Sequence, residues 1–309
     1  MKVVMYHYVH PKQENWLKGL KALDLDNFRK QLDYLQSNYH IVRPDDFLDA
    51  MECGEIHTLK NSVLLTFDDG YKDHLDYVLP EFEKRHLAGI FFVPDYYGTA
   101  MPMDVNIIHL LLTKEENIGS YLSYIHDFLE EKSEKIDDYK KGIVFESRYD
   151  SREIELFKNL LQWSLPVDYR KEILGKLLDI YCDYSREHYF EKLYCSKNDL
   201  MQMIAAGNMI GGHSVSHGWL EKCSYEQQEK EITGSSALLN SLGKQKYLTF
   251  CYPYGSYNED SVSLLKKHGY KASFTTRARE WEATEITKFE IPRFDTNDFP
   301  PISTRYQQI

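Results

Sequence analysis

The sequence predicts an α/β protein built on a parallel sheet or barrel, with a large helical insertion between its two outer portions. Three observations carry that expectation. Short runs of β-branched and apolar residues recur along the chain with helix-patterned stretches between them, the alternation that a parallel sheet requires. Two of these runs end in residues able to ligate a metal or move a proton. The stretch from Asp104 to about Lys197 is poor in glycine and carries apolar residues at helical spacing.

Taken in chain order, Lys2 to Val9 alternates like a strand. Asp26 to Leu35 then sets Phe28, Leu32 and Leu35 on one helical face, behind a cap at Asp24 or Asp26. Ser62 to Phe67 reads as a buried strand that ends in Asp68-Asp69-Gly70. Gly70 supplies a permissive backbone for a sharp turn, and the two carboxylates fall at a strand's C-terminal edge, where α/β proteins keep their active sites. One could hold a metal while the other handles a proton; ordinary Asp-Asp-Gly turn chemistry is the competing reading.

Gly89 to Val93 is the next strand. Beyond it, Ile107, Leu110 and Leu111, then Leu122, Ile125 and Leu129, then Leu174, Leu177, Leu178 and Tyr181 mark helical faces that demand burial. Residues 99–196 are therefore expected to form an inserted helical subdomain between 1–98 and 197–309. Loops after barrel strands lie above the active site, so the insertion is expected to act as a lid or wall, or else as a dimerisation element through which the chain forms a homo-oligomer. Asp104 and His109, at a helix start within it, are candidate substrate-binding residues; a helix cap and a merely exposed histidine are the alternatives.

Gly207 to His213 resumes the strand pattern, and Tyr247 to Pro253 and Ala272 to Thr276 continue it. His213 and His217 stand four positions apart after a glycine pair. Four residues make one helical turn, so both imidazoles can converge on one point. Two histidines and one carboxylate leave positions open for water and substrate, as a catalytic zinc site requires.

Thr66 to Gly70 and His213 to His217 resemble, complete and in order, the first two signature motifs of the polysaccharide deacetylase family, the NodB-like carbohydrate esterases. Val3 to Val9 resembles the first strand of its exopolysaccharide N-deacetylase type. The resemblance covers residues 1–98 and 197–309 and not the insertion. It implies a distorted (β/α)7 barrel with a divalent metal, expected to be zinc, at the C-terminal ends of the strands. By position it makes Asp68 the general base and Asp69, His213 and His217 the metal ligands.

Phe250 to Gly255 stands at the third family motif, with Cys251 where many members have the arginine that orients the base. The match gives Tyr254 a backbone N–H for the oxyanion hole and sets Pro253 beside the substrate. Ile291-Pro292-Arg293 fills the last motif, whose third residue is normally a histidine general acid. Arginine cannot give up its proton at neutral pH. Arg293 could instead stabilise an oxyanion or hold a phosphate or carboxylate, and the acid is expected elsewhere: water on the metal, Asp68 once protonated, His7 or His109. His7, at a strand end, is a candidate for the substrate site, against the reading of a packed structural histidine.

With that resemblance the expected activity is hydrolysis of the N-acetyl group of an N-acetylated sugar or oligosaccharide, a nucleotide- or lipid-linked precursor in bacterial surface polysaccharide biosynthesis. A metal-bound carbohydrate-binding or scaffold protein without turnover is the alternative that Cys251 and Arg293 motivate, and hydrolysis of another small amide or ester uses the same chemistry. With 42% hydrophobic and 28% charged residues the chain has the composition of a soluble globular protein. Its net charge of −11 speaks against nucleic-acid binding through a basic surface. No run is long enough to span a bilayer and no secretory leader is evident, so a cytoplasmic location is expected. Five cysteines without close pairing are expected to be thiols.

Overall fold

A computed structural model describes residues 1–12, 19–98, 101–143, 145, 150–282 and 287–309. Residue 99, the expected start of the insertion, lies outside them. The described residues form two compact units, one of residues 1–12, 22–98 and 192–309 and the other of residues 19–21 and 101–191.

The first unit holds β1 (Lys2–Tyr6), β2 (Val9–His10), β3 (Leu23–Asp24), α1 (Leu25–Asn38), β4 (His40–Ile41), α2 (Pro44–Glu52), β5 (Ser62–Asp68), α3 (Leu79–Arg85) and β6 (Ile90–Val93). The second holds α4 (Asp104–Leu112), α5 (Ile118–Glu131), α6 (Ile136–Tyr139), α7 (Arg152–Asn159) and α8 (Val167–Tyr181), and α9 (Arg186–Leu193) runs across its boundary. The first then resumes with α10 (Lys197–Ala205), β7 (Met209–Gly212), α11 (Tyr225–Ser241), β8 (Thr249–Cys251), α12 (Glu259–Lys267), β9 (Ala272–Phe274) and β10 (Phe294–Asp295).

All the paired strands of the main sheet are parallel, in the order β10-β1-β5-β6-β7-β8-β9, with β4 beside β5. Every residue of β5 is buried, as expected of a central parallel strand covered on both faces. Ile291 bridges Phe274 of β9, and the same segment runs on into β10 beside β1, so one stretch of chain joins both ends of the curled sheet. This is a distorted (β/α)7 barrel. All its strands point one way, so their C-terminal ends gather Asp68, His213 and Cys251 on one side.

Two elements differ instructively from expectation. The first strand stops at Tyr6, because Tyr8 turns to stack on Tyr71 at 3.9 Å and Val9–His10 pairs with Leu23–Asp24 in a separate sheet. His7 therefore stands at a corner, not within a strand. In the helical unit, α5 buries Tyr121, Ile125, Phe128 and Leu129, while Leu122 is half-buried. The Tyr121 hydroxyl donates to Leu111 O at 3.1 Å, which lets its ring take the inward position. α4 packs on α8 and α5 on α7, burying Ile107, Leu111, Phe157, Leu174, Leu177 and Leu178. In α1 the Asp24 side chain caps, accepting from Asp26 N, and Phe28, Leu32 and Leu35 are fully buried. Among the described residues no helix is long and apolar enough to cross a membrane.

Candidate active site

Asp68 closes β5 and Asp69 opens the turn after it. Asp69 (φ 76°) and Gly70 (φ 63°) are both left-handed, which reverses the chain and sends the two carboxylates to different partners. At Gly70 a Cβ would lie 2.8 Å from Tyr96 Oη and 2.9 Å from Val93 Cγ1, so the turn admits no larger residue without a shift. Of the seven described non-glycine residues with positive φ, four lie here: Asp69, Ser214, His217 and Tyr254. Such conformations cost on the order of 1–3 kcal/mol each and persist where the surroundings enforce them, commonly at functional sites.

The Oδ2 of Asp69 accepts from the Tyr71 hydroxyl at 2.6 Å. Its Oδ1 is buried without a hydrogen-bond partner and lies 3.2 Å from His217 Nε2 and 3.5 Å from His213 Nε2. His213 Nδ1 is 2.7 Å from the Cys251 carbonyl oxygen, which can only accept, so Nδ1 carries the proton. With Nδ1 protonated, a neutral ring would present its lone pair at Nε2, on the side of Asp69. This is the arrangement in which a backbone carbonyl orients a metal-binding imidazole. Burial opposes charge on His213, but Cys251, Asp69 and Asp68 together hold its pKa well above the usual histidine value. The Asp69 carboxyl moves the other way: burial would raise it, but His217 and His213 hold it well below its usual range, so it stays an anion able to take a cation.

The imidazoles converge differently from the expectation of a helical turn. Residues 213–217 are a loop in which Ser214 and His217 are left-handed and Ser214 Oγ accepts from His217 N at 3.0 Å. Glu231 of α11 holds that loop from behind, accepting from Val215 N and Ser216 N, each at 2.8 Å. Asp69, His213 and His217 fit a divalent cation: two imidazole nitrogens and one carboxylate oxygen meet in a buried space, and the oxygen has no other partner. Asp68, His213 and Cys251 are also close enough to one another, but both oxygens of Asp68 are already engaged and that set does not fit.

Arg293 engages them. Its Nη1 and Nη2 donate to the two Asp68 oxygens, each at 2.7 Å, and its remaining donors reach Thr66 Oγ1, Thr275 O and Cys251 Sγ. Burial would raise the Asp68 carboxyl, but the Arg293 charge and hydrogen bonds bring its pKa down to about 2. This corrects the expectation that Arg293 holds a substrate phosphate, carboxylate or oxyanion: it is fully buried and all five of its N–H groups are directed within the protein. The arginine absent from position 251 is thus supplied from position 293, with the Cys251 thiol 3.5 Å from Asp68 Oδ2.

Pro253 and Tyr254 open a short turn after β8, Tyr254 with φ 57°. The Tyr254 ring stacks on Trp219 at 4.8 Å and meets the edge of His217 at 4.8 Å. His7 Nε2 lies 3.9 Å from Asp68 Oδ2, with 42% of its side chain exposed. Asp68, Asp69, His213, His217, Pro253, Tyr254, Arg293 and His7 are all in the first unit. Asp104 and His109 are in the second, on α4. Met103 holds the cap position there, so Asp104 is the first helical residue and an acid of the first turn, where the helix dipole favours it. His109 is partly exposed.

The family profile described as polysaccharide deacetylase matches residues 178–273. That part of the chain is similar to a polysaccharide deacetylase domain. A Bacillus subtilis (strain 168) protein that bears the name of a polysaccharide deacetylase, YxkH, is 28% identical over 85 residues, a stretch spanning 28% of this chain and 30% of that protein. Among solved structures, the Streptococcus pyogenes deacetylase PplD in complex with acetate is similar over 100% of this chain and 96% of its own, at 16% identity and a TM-score of 0.58. IcaB from Ammonifex degensii is similar over 99% of this chain and 96% of its own, at 18% identity and a TM-score of 0.57. At these identities the likeness establishes the barrel fold.

Three further residues around this candidate site carry no assignment from the sequence. Tyr71 follows Asp69 by two positions in the same turn, and burial together with the Asp69 charge raises its pKa well above the usual phenol value, so it remains a donor. That adjacency was a usable signal. Trp219 and Glu231 carried none, since the partners they meet are set by the fold.

Proposed function

We propose that this domain removes the N-acetyl group from an N-acetylated sugar, using a divalent cation held by Asp69, His213 and His217. The observation that carries the reading is this three-ligand set beside Asp68, a buried carboxylate kept ionised by a bidentate arginine. A cation there, with zinc the ion that two imidazoles and a carboxylate suit, supplies Lewis-acid polarisation of the acetyl carbonyl and lowers the pKa of the attacking water. Asp68 takes the proton from that water as its oxygen bonds to the carbonyl carbon. With a pKa near 2 it is a weak base by itself, so its contribution is position and negative charge. The Tyr254 backbone N–H is assigned to the oxygen on which charge develops, a donor of a kind worth about 3 kcal/mol.

When the C–N bond breaks, the departing amine needs a proton, and Arg293 cannot give one. His7 is assigned as the acid: it is half-exposed, within the first unit, and its Nε2 approaches Asp68. Its proton passes to the nitrogen, and acetate and a free amine leave. The acetate complex of the similar streptococcal deacetylase agrees with such a product. The finer reading, a precursor of a surface polysaccharide as substrate, with residues 1–98 and 197–309 as the catalytic barrel and 99–196 as a helical insertion, rests on the family resemblance. Turnover-free metal binding loses part of its motive, because Arg293 restores the support that Cys251 cannot give Asp68.

Metal analysis combined with acetate release from N-acetylglucosamine oligosaccharides tests the reading. Wild type should bind one divalent ion and release acetate. Asp68→Asn should keep the ion and lose turnover by at least about 100-fold, and Asp69→Ala should lose the ion. Undiminished acetate release by Asp68→Asn would remove the base assignment.

A further inference from the structure

The segment after Asp69 grips the corner that carries His7 at three points. Tyr71 stacks on Tyr8 with ring centroids 3.9 Å apart. Asp73 Oδ2 lies 3.1 Å from His10 Nδ1. His74 Nε2 lies 2.9 Å from the backbone oxygen of His7 itself. That oxygen can only accept, so His74 donates from Nε2 and its buried Nδ1 is left without a partner. An orphaned buried nitrogen costs about 1–3 kcal/mol, a poor arrangement for a residue that merely fills a core.

His74 is fully buried in a box of aromatic rings, Phe67 at 5.4 Å, Phe91 at 5.5 Å and Tyr71 at 5.7 Å. It opens a π-helical turn, His74–Val78, ahead of α3. Single π turns are uncommon and recur at functional sites. Burial holds the ring neutral, with its pKa pushed down to about 4, so its hydrogen bond is constant at neutral pH. The chain from Asp68 to His74 thus connects a base, a metal ligand and the residue that fixes the His7 peptide plane.

We propose that His74 is a positioning residue for proton delivery: by fixing the His7 carbonyl at the corner after β1, it sets the His7 imidazole over Asp68 at the point where the leaving nitrogen must be protonated. The proposal rests on the reading of His7 as the general acid. The His7 side chain is exposed on one side and the corner has left the sheet; Tyr8 and His10 are held by other contacts, and the His74 hydrogen bond is a restraint placed directly on the His7 peptide. A displacement of about 1 Å in a catalytic group can cost about 100-fold in rate.

The test uses the metal-loaded protein and two probes. An N-acetylglucosamine oligosaccharide has an amine leaving group that needs a proton, and 4-nitrophenyl acetate has one that does not. For His74→Phe the expected result is a fall of about 100-fold in kcat on the oligosaccharide, with KM, metal content and melting temperature near wild type and ester turnover within about twofold. His74→Gln, whose amide nitrogen can take the place of Nε2, should recover most of the lost rate. Equal losses on both probes, no loss on the oligosaccharide, or no recovery in His74→Gln would each overturn the positioning role. If His7→Ala leaves oligosaccharide turnover intact, or wild type cleaves neither probe, the underlying reading fails and the proposal falls with it.

Discussion

Asp68 and Arg293 form a fully buried ion pair whose two charges are each other's main compensation. The folded Asp68 carboxyl sits near 2 against an ordinary 3.8, so in the range between them the unfolded chain binds more protons. The pair's contribution to stability is therefore complete above about pH 4 and is lost as pH falls through about 2, amounting to roughly 2 kcal/mol. Arg293→Met strands a buried carboxylate and should cost about 4 kcal/mol at pH 7 by urea unfolding. The deficit should shrink on acidification toward pH 3, because the stranded Asp68 protonates readily while wild type begins to lose its own advantage. Arg293→Lys should restore little, since one ammonium cannot span both oxygens together with Thr66 and Thr275. A deficit constant from pH 7 to 3 would show that packing, not charge, sets the cost. This pair also marks how far residue-level reading reached. Asp68 and Asp69 announced themselves by type and neighbours, but the partner of Asp68 is 225 positions away, and only curling of the sheet brings Arg293 to it.

The loop between His213 and His217 has no hydrogen-bond ladder of its own to fix it. Its left-handed residues are held by the internal bond in which His217 N donates to Ser214 Oγ, by Asp95 N donating to Ser214 O at 3.1 Å, and by Glu231 reaching over from α11. Glu231 Oε1 also accepts from Ser216 Oγ at 2.8 Å, so one carboxylate accepts three hydrogen bonds from Val215 and Ser216, two of the three residues between the histidines. Glu231→Ala should therefore weaken metal affinity by about 10- to 100-fold, the usual effect of removing an outer support, while global melting changes little. Chelator competition with zinc or cobalt reads the affinity directly. An unchanged affinity would mean that the loop holds its shape without α11. Sequence spacing pointed to this pair of histidines but placed them on a helical turn, because a separation of four is shared by helical turns and by loops with left-handed residues. The glycine pair before His213 was the better clue: a Cβ at Gly211 would lie 2.4 Å from Phe92 Cδ1, and one at Gly212 would lie 2.2 Å from Ser235 Oγ, so this strand end is crowded on both sides.

At the scale of the chain, the parallel barrel was legible because its strands are written as repeated apolar runs with helices between, and a parallel sheet is the arrangement that consumes such a pattern. What the pattern could not give is how the chain leaves and re-enters the barrel unit around residues 101–191. The structure shows both crossing points held together within the barrel unit. The Tyr97 hydroxyl donates to Cys195 O at 2.8 Å, the Tyr96 and Tyr194 rings stack at 4.2 Å, and Cys195 N donates to Gly70 O at 2.9 Å. The ends flanking the helical unit are thus already joined by contacts that belong to the barrel, and a short flexible linker can span them with little added loop entropy. All three proposed metal ligands, together with Tyr71, Cys251, Glu231 and Arg293, lie in the barrel unit. Replacing residues 99–191 by a short glycine-serine linker should therefore leave a protein that binds one divalent ion, with the helical signal reduced and a single cooperative melt. Isothermal titration and circular dichroism check both expectations. Loss of metal binding with the melt intact would mean that the helical unit takes part in shaping the ligand set, since the donors themselves remain in the excised protein.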